Sequence, residues 1–213
     1  MYRDEYSRWC KAELVDFDLK RELTEIAGDE DAIRERFAAS LSFGTAGLRG
    51  TLGVGTNRMN IWVVRQATQG IADWVKTKGG SQTVAISYDS RLKGWNFARD
   101  AASVLAANGI QVRLYDELMP VPALSFATRY YNCNAGIMIT ASHNPAKYNG
   151  YKAYGADGCQ VTDEDAAVVY AAIQKTDVLG GAKFMSFAEG VEKGLIRFVG
   201  DDCKEAFYAA VES

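Results

Sequence analysis

Thr83-Val84-Ala85-Ile86-Ser87 opens the stretch that decides the fold, and Ala135-Gly136-Ile137-Met138-Ile139 closes it. Both runs are short, apolar and rich in residues that suit a half-buried or buried strand. Between them lie a helical pattern over residues 95–107 that stops at Asn108-Gly109, a third apolar run over 110–115, and a second helical pattern over 121–131 that begins at Pro120 and Pro122. Strand, helix, strand, helix, strand with short joints predicts right-handed crossovers in a parallel sheet. The expected class is α/β: a three-layer α/β/α sandwich whose mostly parallel, mixed sheet is flanked by helices.

In such sheets ligands gather at the carboxyl ends of the strands. Two loops fall there: Tyr88-Asp89-Ser90-Arg91, and Thr140-Ala141-Ser142-His143-Asn144-Pro145, which holds the only histidine of the chain. Upstream, residues 4–40 read as helical, with Tyr6, Trp9, Leu14, Leu19, Leu23 and Ile26 recurring at three- to five-residue steps and a short helix over 29–37. This region is expected to pack around the domain and to take no part in chemistry. A glycine-rich stretch follows, Phe43-Gly44-Thr45-Ala46-Gly47-Leu48-Arg49-Gly50. Asn60 then caps a helix with Ile61, Val64, Thr68, Ile71 and Val75 on one face. Downstream, residues 150–153 and 159–161 flank a Gly155-Ala156-Asp157-Gly158 turn and predict a hairpin. Thr162 caps another helix. The tail from Ile196 holds a short strand and the first turns of a last helix.

The bulk numbers exclude several function classes. Hydrophobic residues at 48% and charged residues at 24% are ordinary for a soluble globular chain of 213 residues. A net charge of −3 argues against nucleic acid as a partner. No apolar run approaches the length of a membrane span, and the charged start Met1-Tyr2-Arg3-Asp4-Glu5 is not a signal peptide. Cys10, Cys133, Cys159 and Cys203 show no C-x-x-C spacing, and a single histidine cannot complete a Cys/His zinc cluster. They are expected as buried or partly buried thiols in a reducing cytoplasm.

The chemistry centres on Ser142. A serine in a turn is ordinarily a turn former, and as a nucleophile it needs a base or a charged, preorganised site. A hydrolase triad does not fit, because there is no G-x-S-x-G elbow and adjacent side chains such as those of Ser142 and His143 diverge. Phosphoryl transfer fits better, since it asks for positive charge, donors and a group that moves a proton. Arg49 between two glycines, Arg91 after a strand, and Lys147 and Lys152 around the Ser142 loop supply the charge; His143 can donate or shuttle a proton. The glycine-rich stretch lacks the order of a P-loop or a dinucleotide fingerprint. No Asp-x-Asp cluster offers a complete magnesium site, and Asp89 and Asp157 read as acceptors in turns.

Three segments taken together, residues 140–145, residues 43–50, and Asn149-Gly150-Tyr151-Lys152, resemble the α-D-phosphohexomutases, the superfamily of phosphoglucomutase and phosphomannomutase. The Gly44-Thr45-Ala46-Gly47-Leu48-Arg49-Gly50 wording is similar to the phosphoglucomutase and phosphopentomutase branch. The resemblance implies a phosphosugar mutase that moves phosphate between the 1- and 6-positions of a hexose, or the 1- and 5-positions of a pentose, through a phosphoserine and a bisphosphorylated sugar. It implies Ser142 as the phosphate carrier, His143 and Lys152 as groups that move protons and stabilise the transferring phosphate, and Arg49 as a holder of the phosphoryl group or substrate. It also implies Mg²⁺, with the phosphate on Ser142 as one ligand.

Members of that superfamily have four domains, and the resemblance covers the first. The magnesium aspartates, the sugar-recognition loop and a further phosphate-binding loop belong to the other three. Residues 1–190 are therefore expected as the first domain and residues 191–213 as the lead-in to a second. The expected partners are a hexose or pentose phosphate and the remaining domains of the same polypeptide; on its own the chain is expected to be inactive. The rival expectation is a non-catalytic domain that binds sugar phosphate or protein and kept the loop.

Overall fold

The structure is a computed structural model that describes residues 1–80 and 82–212. In chain order its elements are α1 (Tyr2–Lys11), α2 (Phe17–Glu25), α3 (Glu30–Phe37), β1 (Leu48–Thr51), α4 (Ile61–Thr77), β2 (Thr83–Tyr88), α5 (Gly94–Ala107), β3 (Gln111–Leu114), α6 (Val121–Tyr130), β4 (Ala135–Ile139), β5 (Tyr148–Gly155), α7 (Asp163–Lys175), α8 (Phe187–Glu192), β6 (Ile196–Phe198) and α9 (Asp201–Glu212). Polar caps start the helices where the sequence places them. Asn60 Oδ1 accepts from the amides of Trp62 and Val63, Asp29 from that of Ala32, and Thr162 from that of Asp165.

One six-stranded sheet runs in the order β1-β5-β4-β2-β3-β6. Strands β6, β3, β2 and β4 are parallel, and β5 and β1 pair antiparallel at one edge. The mixed, mostly parallel sheet flanked by helices is the class expected. Alternation along the strands builds both sides of it. Val84, Ile86, Ala135, Ile137 and Ile139 join the large core with α4 and α5, whereas Ala85 and Met138 face the smaller core with α6 and α9. Helix α7 packs on α4, and α9 on α6. The three N-terminal helices feed Trp9, Leu19, Leu23 and Phe37 into the large core, and the link between α1 and α2 adds Leu14.

Two strands differ from expectation. Residues 48–51 are an edge strand, because Leu48 pairs with Tyr151 and packs inward while Arg49 faces out. The expected hairpin has its turn, closed by Gly158 N–H on the Gly155 carbonyl. Its return arm, however, is a single bridge between Tyr154 and Gln160. The partners of β5 are β1, along residues 148–151, and β4, along residues 151–155. The tail extends the sheet: Val112, Arg113 and Leu114 of β3 pair with Ile196, Arg197 and Phe198.

The feature that positions the site is the order of β2 and β4. The link through α5 lies on one face of the sheet and the link through α6 on the other, so the chain reverses its direction of travel beside β2. Tyr88 and Ile139 are paired residues at the carboxyl ends of these two strands. The loops at 89–93 and 140–147 therefore leave the sheet side by side.

Candidate active site

Asp89 and Thr140 each follow that last pair by one residue, and their side chains meet. The Thr140 hydroxyl donates to Asp89 Oδ2 at 2.5 Å. The same Thr140 oxygen accepts the Ser142 N–H at 3.0 Å. Thr140 is buried and Ala141 fully so, which leaves Ser142 as the first exposed residue of the loop. Ser142 has φ of 54°, in the left-handed region. For a residue with a Cβ this costs about 1–2 kcal/mol, and it persists only where the surroundings fix it.

Arg91 supplies much of that fixing. Its Nη1 donates to the carbonyls of Pro145 and Tyr148, at 3.2 and 3.1 Å. Its Nη2 donates to those of Ser142 and Asn144, at 2.6 and 2.8 Å. Nε lies 3.5 Å from Asp89 Oδ2. The guanidinium is thus committed to loop backbone. Arg91, expected as one of the positive charges around the serine, lies under the loop as a strut.

The opposite wall comes from the antiparallel edge. Arg49 pairs with Gly150, and Lys152 stands two residues further along β5, so both side chains leave the same face of the sheet. Gly150 contributes no side chain between them, and none would fit. A Cβ there would lie 2.5 Å from the Thr140 carbonyl oxygen and 2.8 Å from that of Leu48. Gly47 (φ of 74°) is tighter still, with a Cβ 2.0 Å from the Tyr151 carbonyl oxygen. Asn149, fully buried, donates to the Leu92 carbonyl and ties β5 to the loop after β2.

On this frame Lys152 Nζ donates to Ser142 Oγ at 2.9 Å. Arg49 Nη1 donates to Asn144 Oδ1 at 3.0 Å. Partial burial, then the charge of Arg49, pull the Lys152 ammonium below the ordinary lysine range, while Asp89 opposes them. His143 is exposed, and among the described residues its imidazole has no hydrogen bond or ion pair. Lys147 is exposed beside the Tyr148 ring, away from this cluster of bonds.

Of the residues singled out from sequence, Ser142, Lys152 and Arg49 thus come together, with Asn144 as the link. The roles of Thr140, Asn144 and Asn149 were not legible, although each stood in a quoted segment. The signal for Thr140 was its place one residue past a strand end opposite Asp89, which only the register reveals. Asp157, by contrast, accepts from the Cys159 amide, as a turn residue does.

Magnesium finds no ready cage among the described residues. Among the described residues no three Asp, Glu, His or Cys side chains gather as ligands. Asp89, the carboxylate on the rim, is engaged by Thr140 and Arg91. Ser142 alone offers one oxygen, so the residues present do not fit a complete site, and no step below is routed through the ion. The thiols also depart from expectation: Cys133 and Cys203 are buried, but Cys10 and Cys159 are exposed. Among the described residues no helix is long and apolar enough to cross a membrane.

At the sheet rim of this α/β/α domain, then, an exposed serine of positive φ is bonded to a lysine and walled by an arginine. In comparison with known proteins, residues 40–179 match the description "Phosphoglucomutase/phosphomannomutase, alpha/beta/alpha domain I", and the chain belongs to that family. Phosphoglucomutase of Staphylococcus saprophyticus is 38% identical over 177 residues, which cover 83% of this chain and 32% of the relative. Phosphoglucomutase of Staphylococcus haemolyticus is 46% identical over 132 residues, 62% of this chain and 24% of the relative. A crystal structure from Thermus thermophilus, assigned as a phosphomannomutase, superposes with a TM-score of 0.60 at 30% identity, covering 73% of this chain and 35% of that one. A Burkholderia thailandensis family member, at 22% identity and a TM-score of 0.57, shows the fold alone. The chain spans about a quarter to a third of the length of the curated relatives it matches.

Proposed function

We propose that this chain is the phosphoserine-bearing domain of a phosphosugar mutase. The 2.9 Å bond from Lys152 Nζ to Ser142 Oγ, on an exposed rim, is the observation that carries this reading. With phosphate on Ser142, a sugar hydroxyl oxygen attacks phosphorus as the Oγ–P bond breaks. The hydroxyl loses its proton to a base, for which exposed His143 is the candidate in this chain, and the departing Oγ takes a proton from the Lys152 ammonium. When the bisphosphorylated sugar presents its other phosphate, Ser142 Oγ attacks that phosphorus and returns its proton to Lys152 as the sugar O–P bond breaks, and the leaving sugar oxygen takes the proton held by His143. A lysine held below its ordinary range gives up that proton more readily. Arg49, whose side chain bonds Asn144 beside the serine, would hold the equatorial phosphoryl oxygens.

The substrate on this reading is a hexose or pentose phosphate. The remaining domains of a longer polypeptide would supply sugar recognition and the magnesium aspartates, which relatives about two and a half times as long have room for. Residues 191–213 would lead toward them, and this chain by itself would not turn over. A cytoplasmic setting is part of the proposal, supported by four free thiols.

The test uses a mutase-competent polypeptide that contains these residues, assayed for glucose 6-phosphate from glucose 1-phosphate with catalytic glucose 1,6-bisphosphate and Mg²⁺. Ser142→Ala is expected to abolish turnover and, with it, the mass increment of a phosphoryl group on the peptide that carries residue 142. Substantial turnover in that variant removes Ser142 from the role.

A further inference from the structure

We propose that Arg91, with Asp89 and Thr140, is a positioning device that holds Ser142 in its left-handed conformation and so keeps Oγ within reach of Lys152. These residues touch no reacting atom; they act through the loop. The kinetic part of the proposal rests on Ser142 being the phosphate carrier, whereas the conformational part does not.

Three observations carry it. First, the guanidinium spans the loop, gripping the carbonyls of Ser142, Asn144, Pro145 and Tyr148 with its two terminal nitrogens. Only a planar fork with donors on both nitrogens can hold four carbonyls at once; a lysine ammonium has three donors radiating from one point. Second, the amide side of Ser142 is fixed independently, through Thr140 Oγ1 to Asp89. The peptide units on either side of the Ser142 Cα are therefore both pinned, which determines φ and ψ there. Third, the two halves are one unit, because Asp89 also accepts from the Arg91 backbone amide at 3.2 Å and lies 3.5 Å from Arg91 Nε. Arg91 is mostly buried, with its side chain 12% exposed, so this grip is not the opportunistic contact of a surface arginine. A non-glycine residue at φ of 54° would otherwise relax toward negative φ. That relaxation swings the Cα–Cβ bond and takes Oγ from Lys152, which the sheet holds opposite Met138.

The test has a conformational and a kinetic arm. In the ¹⁵N-labelled chain, Arg91→Ala is expected to speed hydrogen exchange at the Ser142 amide by about tenfold or more, while the amides of Ile86 and Ile137 in the core strands stay protected. In the mutase-competent polypeptide the same change is expected to lower kcat by about a hundredfold, the cost of a displacement near 1 Å. KM should stay within about twofold, and millimolar guanidinium should restore part of kcat. Arg91→Lys should fall between the variants. Thr140→Val keeps the shape and removes the amide acceptor; it should raise Ser142 exchange and lower kcat, and it carries the test if Arg91→Ala does not fold. A folded Arg91→Ala protein with unchanged Ser142 exchange overturns the proposal. So does a rise in KM at unchanged kcat, which would make Arg91 a substrate-binding group. If Ser142→Ala remains active while Arg91→Ala loosens the loop, the positioning stands and the phosphoserine reading fails.

Discussion

The floor and the mouth of the Ser142 loop are a few ångströms apart and are built on opposite principles. In the floor, Arg91, Asp89, Thr140 and Asn149 direct their polar groups to one another and to backbone. In the mouth, Ser142, Lys152 and Arg49 make few bonds, His143 makes none among the described residues, and the lysine carries its charge against the preference of its surroundings. The floor is satisfied as an interior is, save for the buried Arg91 Nε, which has no hydrogen bond and only the Asp89 carboxylate 3.5 Å away. The mouth keeps donors in reserve for a ligand that brings its own negative charge. Stabilising bonds are concentrated below the loop and withheld above it, the pattern expected where activity needs a preorganised but unsaturated site.

The largest effect should come from the mouth and should touch activity alone. Lys152→Met removes the group that exchanges a proton with Ser142 Oγ. In a mutase-competent polypeptide the loss in kcat should be about 10²–10⁴-fold, the usual contribution of a positioned acid–base group. Stability at neutral pH should hold or rise, since the fold disfavours the charged form of this lysine. Urea denaturation beside steady-state kinetics checks both halves. A variant that loses activity and stability together would erase the distinction between floor and mouth.

The backbone frame that carries the mouth and abuts the floor at Thr140 should show the reverse. Gly150→Ala places a methyl group 2.5 Å from one carbonyl oxygen and 2.8 Å from another, with backbone on both sides and no flexible neighbour to give way. The expected loss is about 1–3 kcal/mol of stability, typical of overpacking in a tight site. Thermal or urea unfolding of the chain measures it without any assay of turnover. An unchanged midpoint would mean that β1 and the Thr140 strand end can part freely, and the frame around Arg49 and Lys152 would not be rigid.

This contrast also marks what was legible in the sequence. Apolar runs at 83–87 and 135–139 with helical patterns between them carry their own periodicity, so the parallel part of the sheet followed from local pattern. Strand β1 did not, because its four residues, Leu48 to Thr51, include a glycine and an arginine and become a strand only by pairing with β5. The mouth was readable for a similar reason: reactive side chains in a loop are unusual enough to be noticed singly. The floor was not, since it exists in relations between segments. Arg91 reads as one more cation until the carbonyls of residues 142–148 are seen around it. Thr140 reads as a strand end until the Tyr88–Ile139 register brings Asp89 to it. Tertiary placement turned an expected phosphate ligand into a strut, and no spacing rule contains that information.

The smallest effect lies within the mouth, between its two cations. Lys152 is held below the ordinary lysine range first by partial burial and next by the charge of Arg49. Between its folded value and the ordinary value of about 10.4, the unfolded chain binds more protons at this site than the folded one, so stability should rise with pH across that window and level off above it. Arg49→Gln removes a positive neighbour at similar size. The protonated amine becomes more favourable, the Lys152 pKa moves up, and the window narrows from its lower end. Titration of the Lys152 side chain by heteronuclear NMR in both proteins reads the shift directly, and urea unfolding from about pH 8 to about pH 11 reads its consequence. Because burial is the larger cause, Arg49→Gln should recover only part of the depression. Full recovery would make Arg49 the dominant influence, and no recovery would mean that the two cations do not sense each other, leaving Arg49 outside the electrostatics of the serine it flanks.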